Sequence, residues 1–198
     1  MIEERKIKKN TLYRFLRPFF VFCFKIIFNP RVIGSYNIPK TGSVILVSNH
    51  FNSLDFISMG ITTKRSIYFL AKDSLFKGIL KHILLYSGVI PVNRRIKDRS
   101  VISASKKVLG NNSILGIFPE GTFNKTNNIL AKFKIGAVKL SYEEKTPIIP
   151  IAIVGQYKRN KLKIIVGKKI YIKSNNYDLE NKKLMNILEK LIIENKGV

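Results

Sequence analysis

The stretch Ser43-Val44-Ile45-Leu46-Val47-Ser48-Asn49-His50-Phe51-Asn52-Ser53-Leu54-Asp55 decides how this chain is read. Ser43–Val47 is short, apolar and rich in β-branched residues, which predicts a buried strand. Asn52 or Ser53 is placed to cap a helix running from Leu54 to Met59, with Gly60 at its end. His50 then falls in the strand-to-helix turn and Asp55 in the first helical turn. On one continuous helix a step of five would set the two about 140° apart. A turn removes that obstacle and lets the imidazole fold back toward the carboxylate. An aspartate on one ring nitrogen fixes the tautomer and leaves the other nitrogen free as a base. A plainer reading competes with this one. Asp in a first helical turn complements the helix dipole, and a lone turn histidine is commonly solvated or capping.

Working outward, strands and helices alternate. Strands are expected at Val44–Val47, Ser66–Leu70, Val89–Val92, Ile114–Phe118, Ile148–Val154 and Lys161–Ile172. Pro91 points to an edge or strand-end position for its run. Helices are expected at Leu54–Met59, from Asp73 through Leu85, from Asp98 through Leu109, at Ile135–Glu144 and at Leu179–Ile193. This order predicts an α/β fold, a single domain with a mixed, largely parallel sheet flanked by helices. The 198 residues suit one such domain. The polar, Asn-rich stretch from Thr122 to Leu130 reads as a loop.

Charge is the compositional outlier. Lys and Arg total 36 against 12 Asp and Glu, a formal net charge of +24. Such a balance points to anionic partners: nucleic acid, an anionic membrane surface or an anionic substrate. The lysines are scattered, and no nucleic-acid-binding module is recognisable, so no nucleic acid is expected as a partner. Cys23 is the one cysteine, which permits no internal disulfide and fits a reducing, cytosolic side.

Pro18–Phe28 is the most apolar run, interrupted by Lys25 and preceded by Arg5, Lys6, Lys8, Lys9, Arg14 and Arg17. It is too short to span a bilayer, which takes about 20 apolar residues. An interfacial helix, with aromatics at the headgroup boundary and basic groups on anionic lipid, is one reading, and a core helix is the other. The chain is accordingly divided into residues 1–30, a basic and apolar membrane-interface helix, and residues 31–198, the remaining domain.

Other motifs add chemistry. Phe118-Pro119-Glu120-Gly121-Thr122 ends a strand with a proline and turns at a glycine, so Glu120 and Thr122 are expected exposed at the strand's carboxyl end. Gly88-Val89-Ile90-Pro91-Val92-Asn93-Arg94 puts an arginine where it could meet a phosphate bidentately. Lys134 stands where a helix begins, a good place for an anion. Metal chemistry is not expected, because His50 and His82 are the only histidines and no third ligand is evident. No serine-nucleophile elbow and no nucleotide-binding loop are present.

Taken in order, these blocks resemble the 1-acylglycerol-3-phosphate acyltransferase family from about Arg31 to Ile172. The family's His-x4-Asp block matches His50 to Asp55, and its Phe-Pro-Glu-Gly-Thr block matches Phe118 to Thr122. Its Gly-x-Ile-x-x-x-Arg block resembles Gly88 to Arg94, and its Pro-Ile-x-Pro block resembles Pro147 to Pro150. One departure stands out. The family usually follows the threonine with an arginine associated with acceptor phosphate, and here Phe123 takes that place. Lys125, Lys132 or Lys134 could substitute, or the acceptor could differ.

The resemblance implies acyl transfer from a coenzyme A or acyl carrier protein thioester to the sn-2 hydroxyl of lysophosphatidic acid. His50 would act as base and Asp55 would orient it. Lys72, Arg94 and Lys134 would draw the acceptor phosphate, while Glu120, Gly121 and Thr122 would shape the acceptor pocket. It requires no metal or resident cofactor, and implies a peripheral or monotopic enzyme on the cytoplasmic face of a membrane. The alternatives are an acyltransferase for another lysolipid and a non-enzymatic basic binding module. The His–Asp pair argues against the second, which has no use for it.

Overall fold

The computed structural model describes residues 10–93 and 99–196. Helix α1 (Thr11–Phe28) precedes strand β1 (Arg31–Ile33), strand β2 (Val44–Ser48) and the short helix α2 (Asp55–Gly60). Next come β3 (Ile67–Lys72), α3 (Gly78–Tyr86), β4 (Val89–Val92), α4 (Arg99–Gly110) and β5 (Ile114–Ile117). Helix α5 (Gly136–Glu143), strands β6 (Ile148–Gly155) and β7 (Leu162–Val166), and helix α6 (Tyr177–Ile193) complete the order.

The strands form one seven-stranded sheet in the order β1-β7-β6-β2-β5-β3-β4. All neighbours run parallel except β6 and β7, which are antiparallel. The chain is thus a mixed, largely parallel α/β sheet flanked by helices, as its alternating pattern predicts. The central strands β2 and β5 are buried at every position. That is why they read as continuous apolar runs rather than alternating ones: helices cover both faces.

Side chains alternate across the sheet. Ile45 and Val47 face a core closed by Ala104 and Val108 of α4, Val138 and Leu140 of α5, and Leu184 and Leu188 of α6. Val44 and Leu46 belong to the opposite core, with Phe24 of α1 and Met59 of α2. Because β2 and β5 are parallel, with Val47 opposite Ile117, both carboxyl ends emerge on one rim. That register brings the His50 turn and the Phe118–Thr122 turn together.

Three local readings differ from expectation. The helix expected over Asp73–Leu85 is split into a 3-10 turn at Asp73–Leu75 and α3. Lys77 is extended and Gly78 has φ +50°, a backbone state that interrupts helix while leaving the apolar spacing intact. The strand expected over Lys161–Ile172 stops at Val166, and only Ile170 returns to bridge Ile148. Strand β1, three residues long, was too short to show a period. Pro91 does lie on an edge strand, since β4 closes the sheet. Asp98, expected as a helix cap, lies outside the described residues.

Helix α1 packs by one face only. Phe24 is buried beside Phe28 and Tyr157, and the Arg17 guanidinium donates to the carbonyls of Gly60 and Thr63. Its other side exposes Phe15 at 80%, and Phe19 and Phe22 at 64% each. Among the described residues no helix is long and apolar enough to cross a membrane.

Candidate active site

Asn49 fixes the chain just before the histidine. Its side-chain amide donates to the Ile153 carbonyl and its oxygen accepts the Ile153 N–H, both at 2.9 Å, extending the β2–β6 ladder by one side chain. The turn that follows closes on Asp55, which is fully buried. Asp55 Oδ2 lies 2.9 Å from His50 Nδ1 and accepts the N–H groups of Phe51 at 2.7 Å and Asn52 at 2.8 Å. Neither Asn52 nor Ser53, the two expected caps, stands at the helix N-cap, which falls at Leu54; Asn52 instead accepts the Leu54 N–H at 2.9 Å and tightens the turn itself. A carboxylate anchored this way holds Nδ1 as the protonated ring nitrogen and leaves Nε2 as the free base.

The second oxygen of Asp55 has a partner that pattern reading missed. Tyr157 donates its hydroxyl to Oδ1 at 2.5 Å, and the same hydroxyl lies 2.9 Å from Ser58 Oγ. Burial pushes the Tyr157 phenol well above its ordinary range, and the Asp55 charge pushes it further, so it stays a donor. Tyr157 sits beyond β6, 102 residues from Asp55, in a polar segment with no local signal of a role. Its ring also packs edge-on against Phe24 and Phe28 of α1, at centroid distances of 6.2 and 5.6 Å.

Glu120 is not the exposed residue the turn suggested. It is 5% exposed, with Oε1 accepting the His50 N–H at 2.8 Å and Oε2 the Ala131 N–H at 2.7 Å. It therefore ties the histidine turn to the far end of the 122–130 loop. The Asn124 N–H, donating to the His50 carbonyl at 2.7 Å, ties the near end. Burial raises the Glu120 carboxyl above the ordinary carboxylate range, and the two backbone N–H bonds pull it partly back.

Gly121 turns with φ +72°, and a Cβ there would come within 2.9 Å of Lys134 Cε. Glycine thus lets the Lys134 chain lie across the turn. Thr122 is exposed beside it. Phe118 stacks on the His50 ring at 4.1 Å, and Phe123 meets it edge-on at 4.5 Å. Phe123 is therefore an aromatic wall on the histidine. Lys72 ends β3 on the same rim but is not among the residues lining the cavity at His50. Arg94 lies outside the described residues.

Two cavities flank His50. One, of about 250 Å³, runs between α4 and α5 and is lined mainly by apolar groups, with Gly121 and Lys134 at the histidine. The other, of about 280 Å³, is lined by Asn49, Asn124, Thr126 and Asn128. Among the described residues no group of three or more His, Cys, Asp or Glu is gathered as metal ligands.

The acyltransferase family model matches residues 29–154. A 1-acyl-sn-glycerol-3-phosphate acyltransferase of Borreliella burgdorferi is 36% identical over 126 residues, covering 62% of this chain and 50% of the relative. One from Bacillus subtilis is 28% identical over 149 residues, covering 71% and 73%. The chain thus spans about half the length of the first of these curated relatives. The crystal structure of a 1-acyl-sn-glycerophosphate acyltransferase, PlsC, from Thermotoga maritima superposes with a TM-score of 0.73 at 18% identity. That match covers 94% of this chain and 81% of the other, and shows a shared fold. With the family model spanning more than half of the chain, His50, Asp55 and Glu120 included, the chain belongs to the acyltransferase family.

Proposed function

We propose that this protein transfers an acyl group from a coenzyme A or acyl carrier protein thioester to the sn-2 hydroxyl of 1-acylglycerol 3-phosphate, giving phosphatidic acid. The observation that carries this reading is the buried Asp55 carboxylate bound to His50 Nδ1 at 2.9 Å beside an apolar cavity. His50 Nε2 takes the hydroxyl proton as the oxygen attacks the thioester carbonyl. The tetrahedral adduct then expels the thiolate, and the imidazolium returns its proton to that sulfur. Asp55 stabilises the intervening charge, and Tyr157 and Glu120 hold the pair in place. General-base help of this kind is worth typically 10²–10⁴-fold. The apolar cavity suits an acyl chain. Lys134, Lys72 and Arg94 supply charge for the acceptor phosphate, with Gly121 and Thr122 shaping the acceptor's place.

The exposed aromatic side of α1 supports residues 1–30 as a membrane-interface segment, with residues 31–198 as the acyltransferase domain. Docking by this segment would keep the protein peripheral or monotopic, on the cytoplasmic face where thioester donors are made. A second reading has its own observation. Phe123 packs on His50 where the family carries arginine, which favours a lysolipid acceptor with less phosphate charge.

Thiol release from acyl thioesters, measured with purified protein and a panel of lysolipids, tests the proposal. Turnover with lysophosphatidic acid, lost in His50→Ala, is expected. Absence of thiol release with every lysolipid would sink acyl transfer, and turnover confined to another acceptor would establish the second reading.

A further inference from the structure

A third cavity lies on the opposite rim of the sheet, at the amino ends of β3 and β5. It measures about 460 Å³ and is lined by Asn10, Arg14, Arg17, Lys64, Arg65 and Asn112, among others. β5 alone puts roughly 13 Å between this rim and the one carrying His50, so the cavity is no part of the catalytic site.

Its chemistry is one-sided. Among the described residues four cationic side chains line it and no acidic residue does. None of the four has a carboxylate partner among the described residues. Arg17 and Arg65 are held by backbone carbonyls instead: Arg17 by Gly60 and Thr63, Arg65 by Pro39 at 2.9 Å and Asn112 at 2.7 Å. Carbonyls fix the guanidinium planes and leave the charge uncompensated. Two donors are also left over. Asn10 Nδ2 and Arg17 Nε are buried without an acceptor, and Asn10 is only 8% exposed. The two donors are enclosed by protein, so the anion-binding character of the cavity rests on its four clustered cations, which meet no carboxylate among the described residues.

The neighbourhood favours one source for that anion. Arg14 and Arg17 belong to α1, the helix that exposes Phe15, Phe19 and Phe22. A ligand here would sit where headgroups lie if the aromatic side of α1 rests in a bilayer. We propose that this cavity binds the phosphate of an anionic glycerophospholipid headgroup, a lipid site separate from the one that feeds the reaction. The proposal rests on the membrane reading of α1 and not on the identity of the acceptor. It would give the enzyme a fixed orientation on the surface, where scattered lysines alone would give only attraction.

Co-sedimentation with phosphatidylglycerol-containing and pure phosphatidylcholine vesicles tests it, at fixed ionic strength, with thermal unfolding checking the fold. Arg14→Glu/Lys64→Glu, both exposed residues, should lower partition onto the anionic vesicles by roughly thirty-fold or more, the loss expected of two basic groups at such a surface. Lys168→Glu/Lys169→Glu, charge-matched and placed after β7, should lower it far less. Equal losses in the two pairs would mean diffuse attraction and overturn the site. Inorganic phosphate that binds the wild type without vesicles and displaces the protein from them at constant ionic strength would mark a soluble-phosphate site and overturn the lipid assignment. Wild type that sediments with neither vesicle would overturn the membrane reading as well, whatever the thiol-release assay shows.

Discussion

The His50–Asp55 turn and helix α1 meet their surroundings in opposite ways. In the turn, the Asp55 carboxylate takes four hydrogen bonds from within the chain, and Glu120 closes the His50 N–H. In α1, large aromatic groups point away from everything the described residues offer. Helix α6 is more fully used by the fold: it buries Leu184, Leu188 and Ile192 and exposes Lys182, Lys183 and Lys190, with Ile187 and Ile193 in part exposed beside them. The difference teaches that the geometry of the His50–Asp55 turn is self-contained, whereas α1 is half-satisfied by the fold and leaves large apolar groups exposed. Tyr157 belongs to both regions, with its hydroxyl on Asp55 and its ring on Phe24 and Phe28.

The comparison breaks most sharply at His50. His50→Ala should lower turnover by about 10²–10⁴-fold, with the melting temperature little changed, because the turn is held by Asp55, Asn49 and Glu120 through backbone groups. Steady-state rates beside a thermal melt check both halves, and near-wild-type turnover would remove the histidine from the chemistry.

On the other side, Phe15→Glu/Phe22→Glu should leave stability intact and lower vesicle partition by roughly 100-fold or more, since each ring stands for about 1.5–3 kcal/mol of apolar burial. By contrast, Phe24→Ala, from the inner face of the same helix, should cost about 3–5 kcal/mol of folding stability. Comparable melting losses for the two variants would mean that the outer rings are covered in solution.

Tyr157→Phe sharpens the link between the regions, because it keeps the ring and deletes the hydroxyl. Loss of a hydrogen bond to a charged group, about 1.5–3 kcal/mol, should fall on kcat and on stability, with KM and vesicle binding unchanged. A rise in KM with kcat unchanged would reduce Tyr157 to packing.

Phe123→Arg should have the smallest effect if Lys134 already serves the acceptor phosphate. Rates with lysophosphatidic acid and with a lysolipid lacking the free phosphate measure it. A large gain confined to lysophosphatidic acid would mean that the natural acceptor is another lysolipid.

Much of this was legible in the chain. Val44–Val47, Ile114–Phe118 and Ile148–Val154 read as strands because buried strands need unbroken apolar runs, and their parallel register then had to bring His50 and Glu120 to one rim. What escaped were features without a local signature. β1 is too short to show a period, and the helix after Asp73 is split by the φ of Gly78, which a sequence pattern does not report.

The sequence by itself determined where six of the seven strands run, the His50–Asp55 spacing and the large positive charge, since these depend on neighbours within a few residues or on composition alone. Only the tertiary structure decided that Glu120 is buried as a brace, that Tyr157 holds Asp55 from 102 residues away, and that Arg14, Arg17, Lys64 and Arg65 line one cavity. The physical reason is common to all three. A hydrogen bond or a charge cluster depends on distance in space, and the separation between Asp55 and Tyr157 along the chain is set by the β6 crossover rather than by any periodicity in the residues between them.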